Sequence, residues 1–362
     1  MNRGSTTIHV VQHLAPGGLE ALALNMLSYS PNRDNVLIIS LEGAREESIA
    51  NWPRLAQFQD QLLFLNKPKG YSIKTLYQLY KLFRTFKPNV VHTHHIGPVL
   101  YGSIAARLAN VKIRIHTEHD AWHLSSRKHR SLQSLAIRIA KPKLVADAAL
   151  VRDQVQKQLN LDSVTVIKNG IDCATFKPGS KHLARQALSL PVGTLLIGTA
   201  GRLEQIKGHD VLIHAICSLP NNVHLAIAGD GSERGNLEAL VSELGLSDRV
   251  TFMGLVNDMP RFYQSLDLFC LPSRSEGFPL STLEAQSCGI PTVATKVGAT
   301  EETLCPVTSS SVPSENPLAL ATSILRNINE QFDVSPRSFV LKHNDIKMMI
   351  QAYHSLAEEK TA

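Results

Sequence analysis

The stretch Ser273-Arg274-Ser275-Glu276-Gly277-Phe278-Pro279-Leu280-Ser281-Thr282-Leu283-Glu284 holds the most suggestive chemistry in this chain. Pro279 suits the first turn of a helix, where a missing N–H costs nothing. Glu276 then lies in a polar loop after a strand, and Glu284 on the helix that follows. Carboxylates accept hydrogen bonds from the vicinal hydroxyls of a sugar or ribose, and the open amides of a helix start suit a diphosphate. Arg202 and Lys207 follow the first strand of the second half, where two cations can neutralise a departing diphosphate. Gly17 and Gly18 precede another helix and let backbone approach a phosphate closely. That run is not GxGxxG, which counts against a dinucleotide-dependent oxidoreductase.

Histidines crowd two further strand ends: His92, His94 and His95, then His116, His119 and His123. No carboxylate or cysteine completes a recognisable ligand set, no HExxH helix is present, and no Asp-x-Asp triplet occurs to grip a diphosphate through a metal. Neither a divalent ion nor another cofactor is expected. The five cysteines are odd in number and lack CxxC spacing, so they read as reduced thiols, mostly buried.

Positioning these residues takes two domains, because 362 residues exceed what one core organises. In the first half, Ile8–Leu14, Val36–Leu41, Leu62–Leu65, Val90–His94, Ile113–His116, Leu144–Val151 and Val164–Ile167 read as strands. Gly18–Tyr29, Ile73–Phe86 and Val99–Ala109 read as helices. After Pro178 the alternation restarts, with strands at Leu195–Ala200, Val223–Ala228, Val250–Phe252, Leu268–Leu271 and Thr292–Ala294. Helices are expected at His209–Ser218, near Arg234–Leu244, at Leu280–Cys288 and at Asp345–Glu358. The expected fold is α/β: two Rossmann-like, doubly wound domains facing across a cleft, with ligands beyond the carboxyl ends of the strands. The domains are expected at 1–176 and 177–344, the helix of about 345–362 returning to the first.

The Glu276 to Glu284 segment resembles the E-x7-E signature of the retaining glycosyltransferases of family 4, which have the GT-B fold. The likeness extends to Gly201-Arg202-Leu203-Glu204-Gln205-Ile206-Lys207-Gly208, Ala228-Gly229-Asp230-Gly231, Asn169-Gly170-Ile171-Asp172 and Gly17-Gly18-Leu19-Glu20. It implies that Arg202 and Lys207 meet the leaving diphosphate, that Glu276 holds hydroxyls of the donor sugar, and that Glu284 holds the ribose. Further donor contacts are implied for Gly17, Gly18, Met253, Gly277, Phe278, Pro279 and Leu280. His116 is implied to reach the donor sugar or acceptor, with His119 as its rival and Glu118 as a further acceptor-facing group.

The activity so implied is transfer of a hexose, with retention, from a UDP- or GDP-sugar to an acceptor hydroxyl of a carbohydrate or lipid-linked sugar. Bacterial surface polysaccharide, lipopolysaccharide or glycolipid assembly is the expected setting. The alternatives are a nucleotide-sugar epimerase or hydrolase of the same fold, or a non-catalytic nucleotide-sugar-binding protein. Intact Arg202, Lys207, Glu276 and Glu284 argue against the last. The formal charge of +6 suits any anionic partner and decides nothing alone; a nucleic acid is not expected. No apolar run is long enough to span a membrane and Met1–Thr7 lacks the layout of a secretion signal, so a cytoplasmic location is expected. The segment 121–146 has Arg127, Lys128, Arg130, Arg138, Lys141 and Lys143 but no acidic residue. With Leu132, Leu135, Ala136 and Ile139 at helical spacing, it either packs on the sheet as a solvated helix or rests on the inner face of the cytoplasmic membrane.

Overall fold

The computed structural model describes residues 6–359, which fall into two compact units. The first ends at Gly170 and resumes at Ile346; the second is Ile171–Asp345. The chain changes unit before Asp172 because the next residues are fastened within the second. Ile171 N donates to Asn344 O at 2.9 Å, and Arg337 donates to Cys173 O at 2.8 Å and Phe176 O at 2.7 Å.

The first unit is built on seven parallel strands: β1 (Thr7–Val11), β2 (Val36–Ser40), β3 (Leu62–Phe64), β4 (Val90–His94), β5 (Ile113–Glu118), β6 (Lys143–Ala146) and β7 (Thr165–Val166). Their order is β3-β2-β1-β4-β5-β6-β7. The second carries β8 (Leu195–Ala200), β9 (Val223–Ala228), β10 (Val250–Gly254), β11 (Leu268–Leu271), β12 (Thr292–Thr295) and β13 (Ser309–Val312), in the order β10-β9-β8-β11-β12-β13 and again parallel. Central strands such as β4 and β11 are buried throughout, which is why they read as short apolar or β-branched runs. Each sheet starts in its middle, winds outward one way, then restarts on the other side. A crevice opens where the direction reverses, between β1 and β4 and between β8 and β11.

The helices Gly18–Tyr29 and Ile73–Phe86 form as expected. The expected helix Val99–Ala109 instead starts at Ile96 and passes through a wide π turn at Val99–Ser103 before ending at Leu108. Gly102 lies in that turn against the strands, and a Cβ there would fall 2.8 Å from a methyl of Thr93. The expected strand Leu144–Val151 stops at Ala146. Val151, Val155 and Leu159 recur at helical spacing on the buried side of the helix Ala149–Leu159, and that period prevails over the β-branched residues. The helix Ile346–Glu358 belongs to the first unit, where Tyr353 Oη lies 2.9 Å from Thr117 Oγ1.

In the second unit, β10 runs on to Gly254, past the expected end at Phe252. Four helices, Lys181–Ala187, Met259–Gln264, Pro317–Asn329 and Pro336–His343, join those expected from the sequence. Leu320, Ala321 and Ile324 of Pro317–Asn329 pack into the same core as Ile213, Ile216, Leu225 and Leu268.

Candidate active site

In the second unit the residues singled out by chemistry gather at the reversal point. β8 ends at Ala200 and leads through Gly201–Gly208 into the helix His209–Cys217; β11 ends at Leu271 and leads through Pro272–Pro279 into the helix Leu280–Ser287. Backbone packs directly on backbone here. Gly208 has φ +65°, and a Cβ on it would fall 2.2 Å from Pro272 O; Gly298 has φ +53°, and a Cβ there would fall 1.8 Å from Glu276 O. Only glycine fits either place.

Lys207 and Glu276, far apart in sequence, meet in this crevice. Lys207 Nζ donates to Glu276 Oε1 at 2.6 Å, and Ser273 Oγ donates to the same oxygen at 2.6 Å. The carboxylate side chain is 9% exposed and the lysine 23%, so the pair is shielded but reachable. Arg202 is 68% exposed and pairs with Glu204 at 2.6 Å, free to swing toward an arriving anion. Glu284 lies on the helix Leu280–Ser287, and Tyr263 Oη donates to its Oε2 at 2.8 Å. Pro279, the residue before the helix, gives it no side-chain cap, which suits the first-turn amides to an anion.

Gly277 O accepts from Ala299 N at 3.0 Å, Phe278 is buried, and Pro279 O accepts from Thr282 Oγ1 at 2.8 Å. The turn before the helix is thereby fixed, with Leu280 half-buried at its start. Met253, near the carboxyl end of β10, is half-buried against the cluster that includes Tyr263 and Phe269.

Arg274 is the residue that sequence reasoning passed over. Its Nη1 and Nη2 donate to Asp210 Oδ1 and Oδ2 at 2.8 and 2.7 Å, it pairs with Glu315, and its N donates to Ile206 O at 2.8 Å. It therefore clamps the loop after β8 to the loop after β11. Its bonds to Asp210 push the guanidinium pKa up. Burial works to raise the Asp210 pKa, but bonding and charge from Arg274 outweigh it and hold the carboxyl below its ordinary value.

In the first unit, Gly17 and Gly18 are exposed at the start of the helix Gly18–Tyr29. The buried Glu20 folds its carboxylate back against Gly17, where a Cβ would fall 2.3 Å from Oε2, and pairs with His13 at 3.2 Å. In this state the helix start already has an anion beside it.

His116 and His119 separate by strand geometry. His116 is wholly buried: Nδ1 faces Thr93 Oγ1 at 3.0 Å and Thr93 O at 3.2 Å, and Nε2 meets Glu118 Oε1 at 2.7 Å. Glu118, also buried, takes a further hydrogen bond from Gln133. Burial would raise its pKa, yet the charge and hydrogen bond of His116 bring it down. His116 and Glu118 thus pair with one another inside the fold. His119 lies just past the end of β5, with Nδ1 3.2 Å from Asp147 Oδ2, which also accepts from Asn169 Nδ2 at 2.8 Å. Burial lowers its pKa to about 4, so it is neutral near pH 7. Of the two, only His119 lies beyond the end of β5, and it too is buried.

Residues 16–175 match the family model for Glycosyltransferase Family 4, and residues 194–330 match that for Glycosyl transferases group 1. The chain belongs to this glycosyltransferase family, and its two parallel-sheet units are those of the GT-B fold. A D-inositol 3-phosphate glycosyltransferase of Mycobacterium sp. (strain KMS) is 38% identical over 165 residues, 43% of this chain and 37% of that one. One from Mycolicibacterium vanbaalenii is 32% identical over 241 residues, 58% of this chain and 52% of that one. The chain thus spans about half or less of the length of these curated relatives. In fold it is similar to Anabaena HepE, solved with UDP and glucose (TM-score 0.80, 21% identity, 97% of this chain and 99% of that one). It is likewise similar to a glycosyltransferase from Rickettsia africae (TM-score 0.82, 19% identity, 98% of each chain).

Proposed function

We propose that this chain is a retaining glycosyltransferase that moves a hexose from a UDP- or GDP-sugar to an acceptor hydroxyl. The observation that carries the reading is the Lys207–Glu276 pair at the reversal point of the second sheet. A diphosphate arriving there takes Lys207 and Arg202 as counter-charges, while Glu276, released from its cation, accepts hydroxyls of the sugar. Glu284, oriented by Tyr263, accepts from the ribose. As the glycosidic bond to the diphosphate breaks, the acceptor oxygen bonds to the anomeric carbon on the same face and its proton passes to the departing phosphate oxygen. The two cations stabilise the charge that grows on the leaving group.

The acceptor side belongs to the first unit in this reading, at an anionic lipid surface. Among the described residues no helix is long and apolar enough to cross a membrane. The helix Arg127–Ala140 buries Gln133, Ala136, Ile137 and Ala140, and so leaves Leu135 and Ile139 outward. Arg127, Lys128 and Arg138 are exposed on it, and Lys128 Nζ stands 5.9 Å from the ring centre of exposed Tyr71. Apolar and basic groups together suit a lipid headgroup region.

The test is a thermal-shift screen of UDP- and GDP-sugars, followed by product analysis with the selected donor and glycoside acceptors. A product of unchanged anomeric configuration is expected. Conversion of the donor without any acceptor would make the protein an epimerase or hydrolase instead, and inversion would overturn retention.

A further inference from the structure

A buried group of histidines in the first unit is not used by the reaction above. β1 and β4 are neighbours with His9 level with His92, and His92 and His94, two residues apart, project to the same face. The sequence shows only the histidines after β4 and β5; pairing with β1 brings His9 to them. All three are no more than 4% exposed. His9 Nδ1 lies 3.2 Å from His94 Nε2, and one nitrogen from each ring lies within 4.8 Å of the other two.

We propose that His9, His92 and His94 bind one divalent transition-metal ion of the zinc class. Three neutral imidazoles are a donor set that zinc accepts, with nitrogens about 2.0–2.1 Å from the ion. In tetrahedral array such nitrogens stand about 3.4 Å apart, so the His9–His94 pair is already at ligand spacing and the His92 nitrogen has to close in from within 4.8 Å. The outer nitrogens of His94 and His92 are held as metal ligands require. His94 Nδ1 meets His119 Nε2 at 3.1 Å, and His119 in turn meets Asp147. His92 Nε2 meets Thr117 Oγ1 at 2.7 Å, which lies 2.9 Å from Tyr353 Oη. Burial keeps the three rings neutral, with lone pairs available. The ion, with a water in its fourth position, ties β1 to β4 inside one unit and is separate from the diphosphate.

The experiment titrates the untagged, metal-stripped full chain with Zn²⁺ and with Co²⁺. One equivalent is expected to bind tightly, with ligand-field absorption from Co²⁺ and a rise in Tm with Zn²⁺. His9→Gln and His92→Gln, checked for folding by circular dichroism, should each weaken Co²⁺ binding by more than the roughly 10- to 100-fold that losing an outer partner costs. The exposed His182→Gln serves as control and should bind as wild type does. A folded wild-type chain that takes up no stoichiometric metal overturns the proposal, as does unchanged binding in both ligand variants. If those variants fail to fold, the wild-type stoichiometry and Co²⁺ spectrum decide the matter alone.

Discussion

Lys207→Ala perturbs two states of the protein by different amounts, and the difference can be measured. In the ligand-free protein it removes a cation 2.6 Å from Glu276, leaving that shielded carboxylate with the Ser273 hydroxyl. The cost is about 1–3 kcal/mol of stability, discounted somewhat because the lysine is 23% exposed. A domain with 5–15 kcal/mol in hand stays folded through such a loss. In the transition state the same change removes a charge aimed at the leaving diphosphate, which costs about 2.7–4 kcal/mol, or roughly 100- to 1,000-fold in kcat. Turnover should therefore collapse in a folded protein. The assay is nucleoside diphosphate release with the donor chosen by thermal shift, beside a urea melt of each variant. Adding Glu276→Gln separates the roles in binding of the free nucleoside diphosphate: if Lys207 serves only to neutralise Glu276, the double variant binds the diphosphate as wild type does. Turnover within about threefold of wild type in Lys207→Ala, or wild-type diphosphate affinity in the double variant, refutes the assignment to the diphosphate.

Four other outcomes are expected. Glu284→Ala should weaken both the free nucleoside diphosphate and the intact donor by about 1–3 kcal/mol, whereas Glu276→Ala should spare the diphosphate and depress transfer; equal losses by calorimetry for both ligands in both variants would sink the division of labour. Tyr263→Phe, which deprives Glu284 Oε2 of its 2.8 Å donor, should weaken diphosphate binding by about 0.5–1.5 kcal/mol with the fold intact, and unchanged affinity would show that Glu284 is oriented by other means. Vesicle binding should require anionic lipid, weaken with salt over a screening length of about 8 Å, and vanish in a combined Arg127, Lys128 and Arg138→Gln variant; Arg130 is left alone because it is turned onto the Leu124 and Ser125 carbonyls. Burial depresses the His209 pKa to about 4 against 6.5 unfolded, with Lys207 opposing its protonation and Asp210 favouring it; its stabilising share, roughly 3 kcal/mol, is full above pH 6.5 and lost as pH falls toward 4, so wild type should lose more stability than His209→Asn between pH 7 and pH 5 in urea melts.

The parts that were legible in the sequence are those whose signal is local. Strands such as Leu195–Ala200 and Val223–Ala228 are covered on both faces, so their apolar runs carry both position and type. Pro279 announced the helix that bears Glu284. β13 escaped because Ser309, Ser310 and Ser311 give an outer strand no apolar pattern. Pro317–Asn329 had a readable start, Asn316 accepting from Ala319 N at 2.9 Å ahead of Pro317, but no following strand drew attention to it. Which side of Arg127–Ala140 faces inward was left open by the sequence, because buried Gln133, held by Glu118, occupies a place that an apolar pattern assigns to a leucine. His116 and His119 differ by strand parity and by partners on other strands, and no local spacing distinguishes those.

The site itself depends on pairings that only the folded sheet creates, and its cations are unequally committed. Arg274 is committed: two bonds to Asp210 and a pair with Glu315 leave its charge answered on both sides. Lys207 has a carboxylate partner in Glu276, and Arg202 pairs with Glu204 out in solvent. One cation thus holds the two loops in register while two others carry charge that an incoming dianion can claim. On the proposed reading, drawing Lys207 away from Glu276 would free a carboxylate for sugar hydroxyls, so that binding the diphosphate would prepare the group that grips the sugar. A ligand offering only one of the two chemistries would leave half of this exchange incomplete, and the proposed function would thereby tie recognition of the nucleotide to recognition of the sugar through a single ion pair.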